Sequence, residues 1–250
     1  MQLLGVDIGG TGIKGAIVDT VTGELVSERV RIETPHPATP VAVAETLQKL
    51  VATLKYTGPI GCGFPARVLN GLVKTAANID KSWIEVPVNR LFSKALNTEV
   101  FVANDADVAG LCELEIGAAR NQSGVVIFLT LGTGIGSAIF VNGVPYLNTE
   151  LGHLKFKGDA AEKYCSALVK EKEELKWKEW GERLNQYLKY VEFILQPDLF
   201  VLGGGGSKKF DKYKERLTLE TPVVVAEHLN MAGIIGAAMY GEHCLKEQEE

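Results

Sequence analysis

The chain has four cysteines in 250 residues, Cys62, Cys112, Cys165 and Cys244, and no two of them stand in a C-x-x-C pair. Neither a disulfide framework nor a cysteine-held zinc site is expected, and the four thiols read as reduced core residues. No stretch approaches the roughly 18 consecutive apolar residues of a membrane helix. The start, Met1-Gln2-Leu3-Leu4-Gly5, lacks the basic region, apolar run and small-residue cleavage site of a secretory leader. A cytoplasmic protein with no membrane partner is the expectation. Positive charge is also short: 26 Lys+Arg stand against 31 Asp+Glu, a formal net charge of −5. A protein built to neutralise a duplex carries the opposite balance, so nucleic acid is not expected as a partner.

What is present is ordinary globular composition, 46% hydrophobic and 23% charged, which excludes disorder and fibrous repeats. At this length two lobes can each bury a core. Leu3 to Asp7, Ile13 to Asp19 and Glu24 to Ile32 read as a three-stranded meander. Thr39-Pro40 supplies an N-cap and an N1 proline for a helix whose Val43, Leu47, Leu50, Val51 and Leu54 share a face, stopped by Gly58-Pro59. Ile60 to Phe64, a helix near Arg90 to Leu96 and the strand Val100 to Ala103 follow.

The grammar then restarts. Val125 to Leu131 and Ile135 to Val141 are strands around a glycine turn, and Asn142-Gly143 signals a type I′ hairpin. Thr149 to Lys157 reads as irregular, Ala160 to Ile194 as helical with a break, Leu199 to Leu202 and Val223 to Ala226 as strands, and Ala232 to about Cys244 as a small-residue helix.

An internal repeat carries the most information. Gly10-Thr11-Gly12-Ile13-Lys14-Gly15-Ala16-Ile17 matches Gly132-Thr133-Gly134-Ile135-Gly136-Ser137-Ala138-Ile139 at six of eight positions, each copy joining two strands. The spacing is too long for a solenoid and predicts two related α/β halves facing a cleft. Glycines tolerate positive φ and leave backbone N–H groups uncovered, so each turn is a candidate anion nest to which the threonine adds a donor.

Gly10-x-Gly12-x-x-Gly15 formally matches a dinucleotide fingerprint, but a strand follows it rather than a helix, so the match reads as false. A Walker A loop and the protein-kinase motifs are missing. Asp7, at a strand end before the first nest, is a candidate for water-mediated Mg²⁺ binding, the alternative being a cap of its own turn. Asn104-Asp105 ends an apolar strand, where α/β sheets present catalytic groups. Asp105 is either a proton acceptor or an N-cap for a helix beginning near Val108, and Asp107 is the better cap candidate. Thr149-Glu150-Leu151-Gly152-His153 packs an acid and an imidazole into one turn, read as polar substrate binding or as surface residues. Lys208, Lys209, Lys212, Lys214 and Arg216 follow Gly203 to Gly206, either as a solvated helix face or as contacts for a long phosphate-bearing ligand.

Taken together these residues resemble the ROK sugar kinases of the actin-like ATPase and hexokinase superfamily, across nearly the whole chain. Asp7-Ile8-Gly9-Gly10-Thr11 is similar to the family's first phosphate motif, Leu131 to Gly136 to the second, Leu202 to Gly206 to its glycine-rich adenosine-side loop and Ala232 to Ala238 to its closing interdomain helix. The resemblance implies an α/β, two-lobed, ribonuclease H-like fold with duplicated lobes around a cleft. The lobes expected are 1–108, completed by the helix 232–250, and 109–231.

It further implies Asp105 as general base, with Asn78, Asn104, Glu150 and His153 on the sugar and Gly63 to Pro65 as a sugar-side loop. Asp7, Gly9, Gly10, Thr11, Lys14, Gly132, Thr133, Gly134, Gly204, Gly205, Lys208 and Lys209 would then hold the donor. Where most bacterial members carry a cysteine-rich zinc loop, Lys155 to Cys165 has one cysteine, so no zinc is expected and Glu162 is the candidate for the second sugar-binding glutamate. This zinc-free pattern, with Trp177-x-x-Trp180, resembles the polyphosphate glucokinase branch. A homodimeric glucokinase using Mg²⁺ with polyphosphate or ATP is the expected activity. The alternatives are an ATP-dependent kinase for another hexose, such as mannose or an N-acetylhexosamine, and a non-catalytic sugar-sensing regulator. The regulator would need a helix-turn-helix ahead of the first phosphate motif, and that motif is reached by Asp7.

Overall fold

The computed structural model describes residues 1–77 and 79–249. They form two units, Met1–Cys112 with Met231–Glu250, and Glu113–Asn230.

The first unit opens with β1 (Gln2–Ile8), β2 (Ile13–Asp19) and β3 (Val30–Ile32), an antiparallel meander whose third strand is shorter than expected because only Leu25 bridges back before Val30. Helix α1 (Pro40–Leu54) begins where the sequence placed it, with the Thr39 hydroxyl accepting from the Ala42 N–H. It ends at Lys55 in the left-handed region, ahead of the Gly58-Pro59 stop. Then come β4 (Ile60–Phe64), the short hairpin β5 (Val68–Leu69) and β6 (Leu72–Val73), α2 (Val88–Leu96), β7 (Val100–Asn104) and α3 (Asp105–Glu115). The sheet order is β3-β2-β1-β4-β7, with β1, β4 and β7 parallel.

The second unit repeats this plan. It has β8 (Val125–Leu131), β9 (Ile135–Val141), β10 (Val144–Tyr146), the hairpin β11 (Lys155–Phe156) and β12 (Asp159–Ala160), α4 (Glu162–Cys165), α5 (Ala167–Lys172), α6 (Trp177–Leu195), β13 (Leu199–Gly203), α7 (Gly204–Ser207) and β14 (Val223–Val225). Its sheet order, β10-β9-β8-β13-β14, is again three antiparallel strands followed by two parallel ones. Asn142 and Gly143 both take positive φ, as a type I′ turn requires. The chain returns to the first unit in α8 (Ala232–Glu249), five residues longer than the small-residue stretch suggested.

Each core follows from strands buried on both faces. In the first unit Leu4, Val6, Ile8 and Ile60 pack with Val43, Leu47 and Leu50 of α1 and Phe92 of α2. The opposite face meets α8 so closely that a Cβ on Gly5 would lie 1.9 Å from the Ile234 carbonyl oxygen, and one on Gly61 1.7 Å from that of Ala237. In the second unit Trp180, Leu184, Tyr187, Leu188 and Val191 of α6 cover Ile127, Leu129, Phe200 and Leu202. Among the described residues no helix is long and apolar enough to cross a membrane.

Candidate active site

In the first unit the chemistry collects at the carboxyl ends of the parallel strands, where α/β sheets present ligand-binding groups. Asp7 near the end of β1 is in register with Gly63 of β4, and Gly63 with Ala103 of β7. Two strand spacings separate the outer pair, about 10 Å. A Cβ on Gly63 would stand 2.8 Å from the Val108 Cγ2, and the Asp105 Cα lies 3.6 Å from the same point, so the start of α3 packs directly beside β4.

The start of α3 corrects one expectation. The helix begins at Asp105, not near Val108, and its cap is Asn104, not Asp107. The Asn104 Oδ1 accepts from the N–H groups of Ala106 at 2.9 Å and Asp107 at 3.4 Å, and its Nδ2 donates to the Ala66 carbonyl at 3.3 Å. Asp107 is buried inside the first turn. Asp105 therefore sits at the positive end of the helix dipole, which favours a carboxylate, and its Oδ1 accepts from the Ala106 N–H at 2.9 Å.

Across the first hairpin, the Lys14 Nζ donates to the Asp7 Oδ2 at 2.9 Å. The turn between them is closed by Gly9 N–H to the Gly12 carbonyl at 3.1 Å, by Thr34 donating to the Gly9 carbonyl, and by Arg31 donating to the Thr11 carbonyl at 2.9 Å. None of Gly9, Gly10, Gly12, Gly132 and Gly134 has positive φ, so conformational freedom does not explain these glycines. Space does. A Cβ on Gly12 would come within 2.7 Å of the Arg31 guanidinium, and one on Gly134 within 2.3 Å of the Glu162 carboxylate. At Gly10 and at its repeat partner Gly132 nothing lies within 4 Å. Each turn thus has one glycine pressed by a side chain and one open above its Cα. A cavity of about 320 Å³ adjoins the first turn, lined by Gly9, Gly10, Thr34, His36, Pro65 and Asp80 among others. Asn78 lies outside the described residues.

In the second unit one chain of contacts joins three predicted residues, Glu150, His153 and Glu162, to the second glycine turn. The Ile135 N–H, next to Gly134, donates to the Glu162 Oε2 at 3.1 Å. The Glu162 Oε1 faces His153 Nε2 at 3.5 Å, and the Glu150 Oε2 faces His153 Nδ1 at 3.0 Å. The imidazole is held from both sides, on a single 3₁₀ turn over Leu151–His153. Glu162 at the start of α4 reaches the second glycine turn from 27 residues beyond Ile135, a proximity no local pattern announces.

The glycine run after β13 forms the turn of α7. Gly204 has φ +78, and a Cβ there would meet Leu131 at 2.7 Å, whereas Gly205 has nothing within 4 Å. Gly132, Thr133, Gly205 and Gly206 line a cavity of about 280 Å³ together with Trp177 of the Trp177-x-x-Trp180 pattern and with Lys170, which no motif had singled out. The cationic run is not a helix face but two 3₁₀ turns, Phe210–Lys212 and Lys214–Arg216. Lys214 pairs with Asp211, Arg216 with Glu182, and Lys208 bonds Asn230, while Lys209 and Lys212 make no ion pair among the described residues.

Comparison with known proteins identifies the family. Over 236 residues, 94% of this chain and 89% of the relative, the chain is 46% identical to the polyphosphate glucokinase of Mycobacterium tuberculosis strain CDC 1551 / Oshkosh. It is similar in structure to the inorganic polyphosphate/ATP-glucomannokinase of Arthrobacter sp. strain KM, with a TM-score of 0.93 at 45% identity over 97% of this chain and 99% of that one. The ROK glucokinase of Streptomyces griseus, solved with glucose and AMPPNP, has the same fold, with a TM-score of 0.80 at 22% identity over 95% and 98% of the two chains. The ROK family profile matches residues 3–168, spanning both glycine turns and the Glu150, His153 and Glu162 cluster, and the chain belongs to the ROK family.

Proposed function

We propose that this protein is a glucokinase that moves the terminal phosphoryl group of polyphosphate or ATP onto the 6-hydroxyl of glucose. The observation that carries the reading is the equivalent open glycine, Gly10 and Gly132, in each of two duplicated turns: a cradle that a Cβ would fill. Its likeness to the M. tuberculosis polyphosphate glucokinase and the Arthrobacter glucomannokinase supports the same donors and acceptor.

Phosphoryl transfer passes through a loose, largely metaphosphate-like state, so alignment and charge neutralisation do most of the work. Asp105 takes the proton of the attacking hydroxyl. Glu150, His153 and Glu162 accept from or donate to sugar hydroxyls, held in position by their mutual contacts. Asn104 offers the second hydrogen of its Nδ2, the first being given to Ala66. Gly9, Gly10, Thr11, Gly132, Thr133, Gly134, Gly204 and Gly205 hold donor oxygens, and Lys14, Lys208 and Lys209 add positive charge along the donor.

A single carboxylate beside an open glycine turn fits a hydrated Mg²⁺, which keeps several waters and takes one or two protein carboxylates plus substrate phosphates. Asp7 would hold it through water, since Lys14 contacts one of its oxygens and the other makes no hydrogen bond among the described residues. When bound, the ion neutralises charge building on the transferred group. The same reading places the protein in the cytoplasm, where phosphorylated sugars are used, and as a homodimer. Mannose is a second acceptor to consider, because the Arthrobacter relative is a glucomannokinase.

The test is a coupled assay of glucose 6-phosphate with Mg²⁺ and either donor. Product is expected with at least one of them, and none with both rejects the reading. Gly132→Ala places a methyl where nothing lies within 4 Å, so the fold and the melting temperature stay as they are. Displacing the donor by an ångström costs on the order of 10²-fold in kcat/KM. A Gly132→Ala enzyme as active as wild type with both donors would remove the second turn from the donor site.

A further inference from the structure

The cavity beside the second glycine turn contains an arrangement that the phosphate motifs do not account for. Trp177 at the start of α6 is fixed on two sides: the Tyr213 ring is stacked on it at 17° with centroids 6.0 Å apart, and Trp180 meets it edge-on at 87°. Above the indole stands the Lys170 ammonium, 4.4 Å from the ring centroid. Lys170 makes no ion pair among the described residues, although Glu171 beside it lines the same cavity. The remaining walls, Gly132, Thr133, Ala167, Leu168, Gly205 and Gly206, carry no charge.

We propose that Lys170 and Trp177 select the phosphoryl donor, an inference that rests on the kinase reading above. A cation over an aromatic face is held more weakly than one bonded to a phosphate oxygen. When a linear polyphosphate occupies the turn, the ammonium leaves the indole for the anionic chain. A nucleoside triphosphate brings a flat base, which stacks on an aromatic face, and the face on offer is the one Lys170 covers. The lysine thus attracts one donor and competes with the base of the other for the same surface. Removing its charge moves both effects in one direction.

Lys170→Met keeps the aliphatic stem and deletes the charge, and Lys170→Arg restores it. The quantity to measure is the ratio of kcat/KM with polyphosphate to kcat/KM with ATP. It is expected to fall by about tenfold or more in Lys170→Met, the worth of one charge-assisted contact, and to recover in Lys170→Arg. A ratio within twofold of wild type in the methionine variant overturns the proposal, as does a loss that arginine does not repair. Calorimetric dissociation constants for polyphosphate and for AMPPNP, measured on the same three proteins, carry the decision independently of turnover. If wild type phosphorylates glucose with neither donor, the kinase reading fails, and the shift in the ratio of dissociation constants still decides the role of Lys170.

Discussion

Asp105→Asn lowers kcat for glucose phosphorylation by about 10²- to 10⁴-fold, the range a positioned base contributes. The substitution isolates proton acceptance from the fold. Asparagine keeps an oxygen for the Ala106 N–H, so the first turn of α3 retains its hydrogen bond. The negative charge at the helix N-terminus is lost, which costs roughly 0.3–1 kcal/mol and leaves the protein folded. Glucose affinity is expected to change far less than kcat, because the amide can still bond a hydroxyl while no longer removing its proton. Steady-state kinetics with a melting curve on the same preparation separate these effects. Near-wild-type turnover in Asp105→Asn would show that another group accepts the proton.

Gly61→Ala is expected to unfold the first unit. The added methyl would stand 1.7 Å from the Ala237 carbonyl oxygen and 2.5 Å from its carbon, and both are backbone atoms of α8. No rotamer change relieves a clash with backbone, so strand and helix must separate by more than an ångström. That separation opens the packing of α8 on the sheet and on α3, since Gly5 of β1 meets Ile234 and Gly236 meets Val108 of α3 in the same way. Overpacking a core usually costs 1–3 kcal/mol, and about 4 kcal/mol or more follows when backbone is the obstacle. Gly10→Ala is the control, because nothing lies within 4 Å of the new methyl, and its stability should stay within about 0.5 kcal/mol of wild type. A soluble Gly61→Ala protein melting within a few degrees of wild type would mean that α8 is not held against the sheet at this distance.

The two glycine turns show how far a sequence pattern carries and where it stops. The repeat is visible because six of eight residues match, and the duplicated sheet order of the two units follows it. The cause of the glycines is not visible. Positive φ is the usual local explanation, and it holds at Gly143 and Gly204. At Gly12 and Gly134 the tip of a side chain arriving from elsewhere in the chain, Arg31 in one turn and Glu162 in the other, stands where a Cβ would crowd it. The cap of α3 is a similar case. The sequence offers Asp105 and Asp107 as caps, and capping preference alone does not set either above the neighbouring Asn104. The choice falls to Asn104 because its Nδ2 also reaches the Ala66 carbonyl, 38 residues away.

By itself the sequence determined the longer strands, the Thr39 cap, the Asn142-Gly143 turn and the duplicated motif, since alternation, capping and turn chemistry are each written within a few residues. Tertiary structure alone decided that Glu162 completes a contact chain with His153 and Glu150, that Lys170 rests on Trp177, and that Gly61 must lack a side chain because α8 returns to the first sheet from the far end of the chain. These are matters of which distant atoms come within a few ångströms of one another, and packing settles that only once the whole chain has folded.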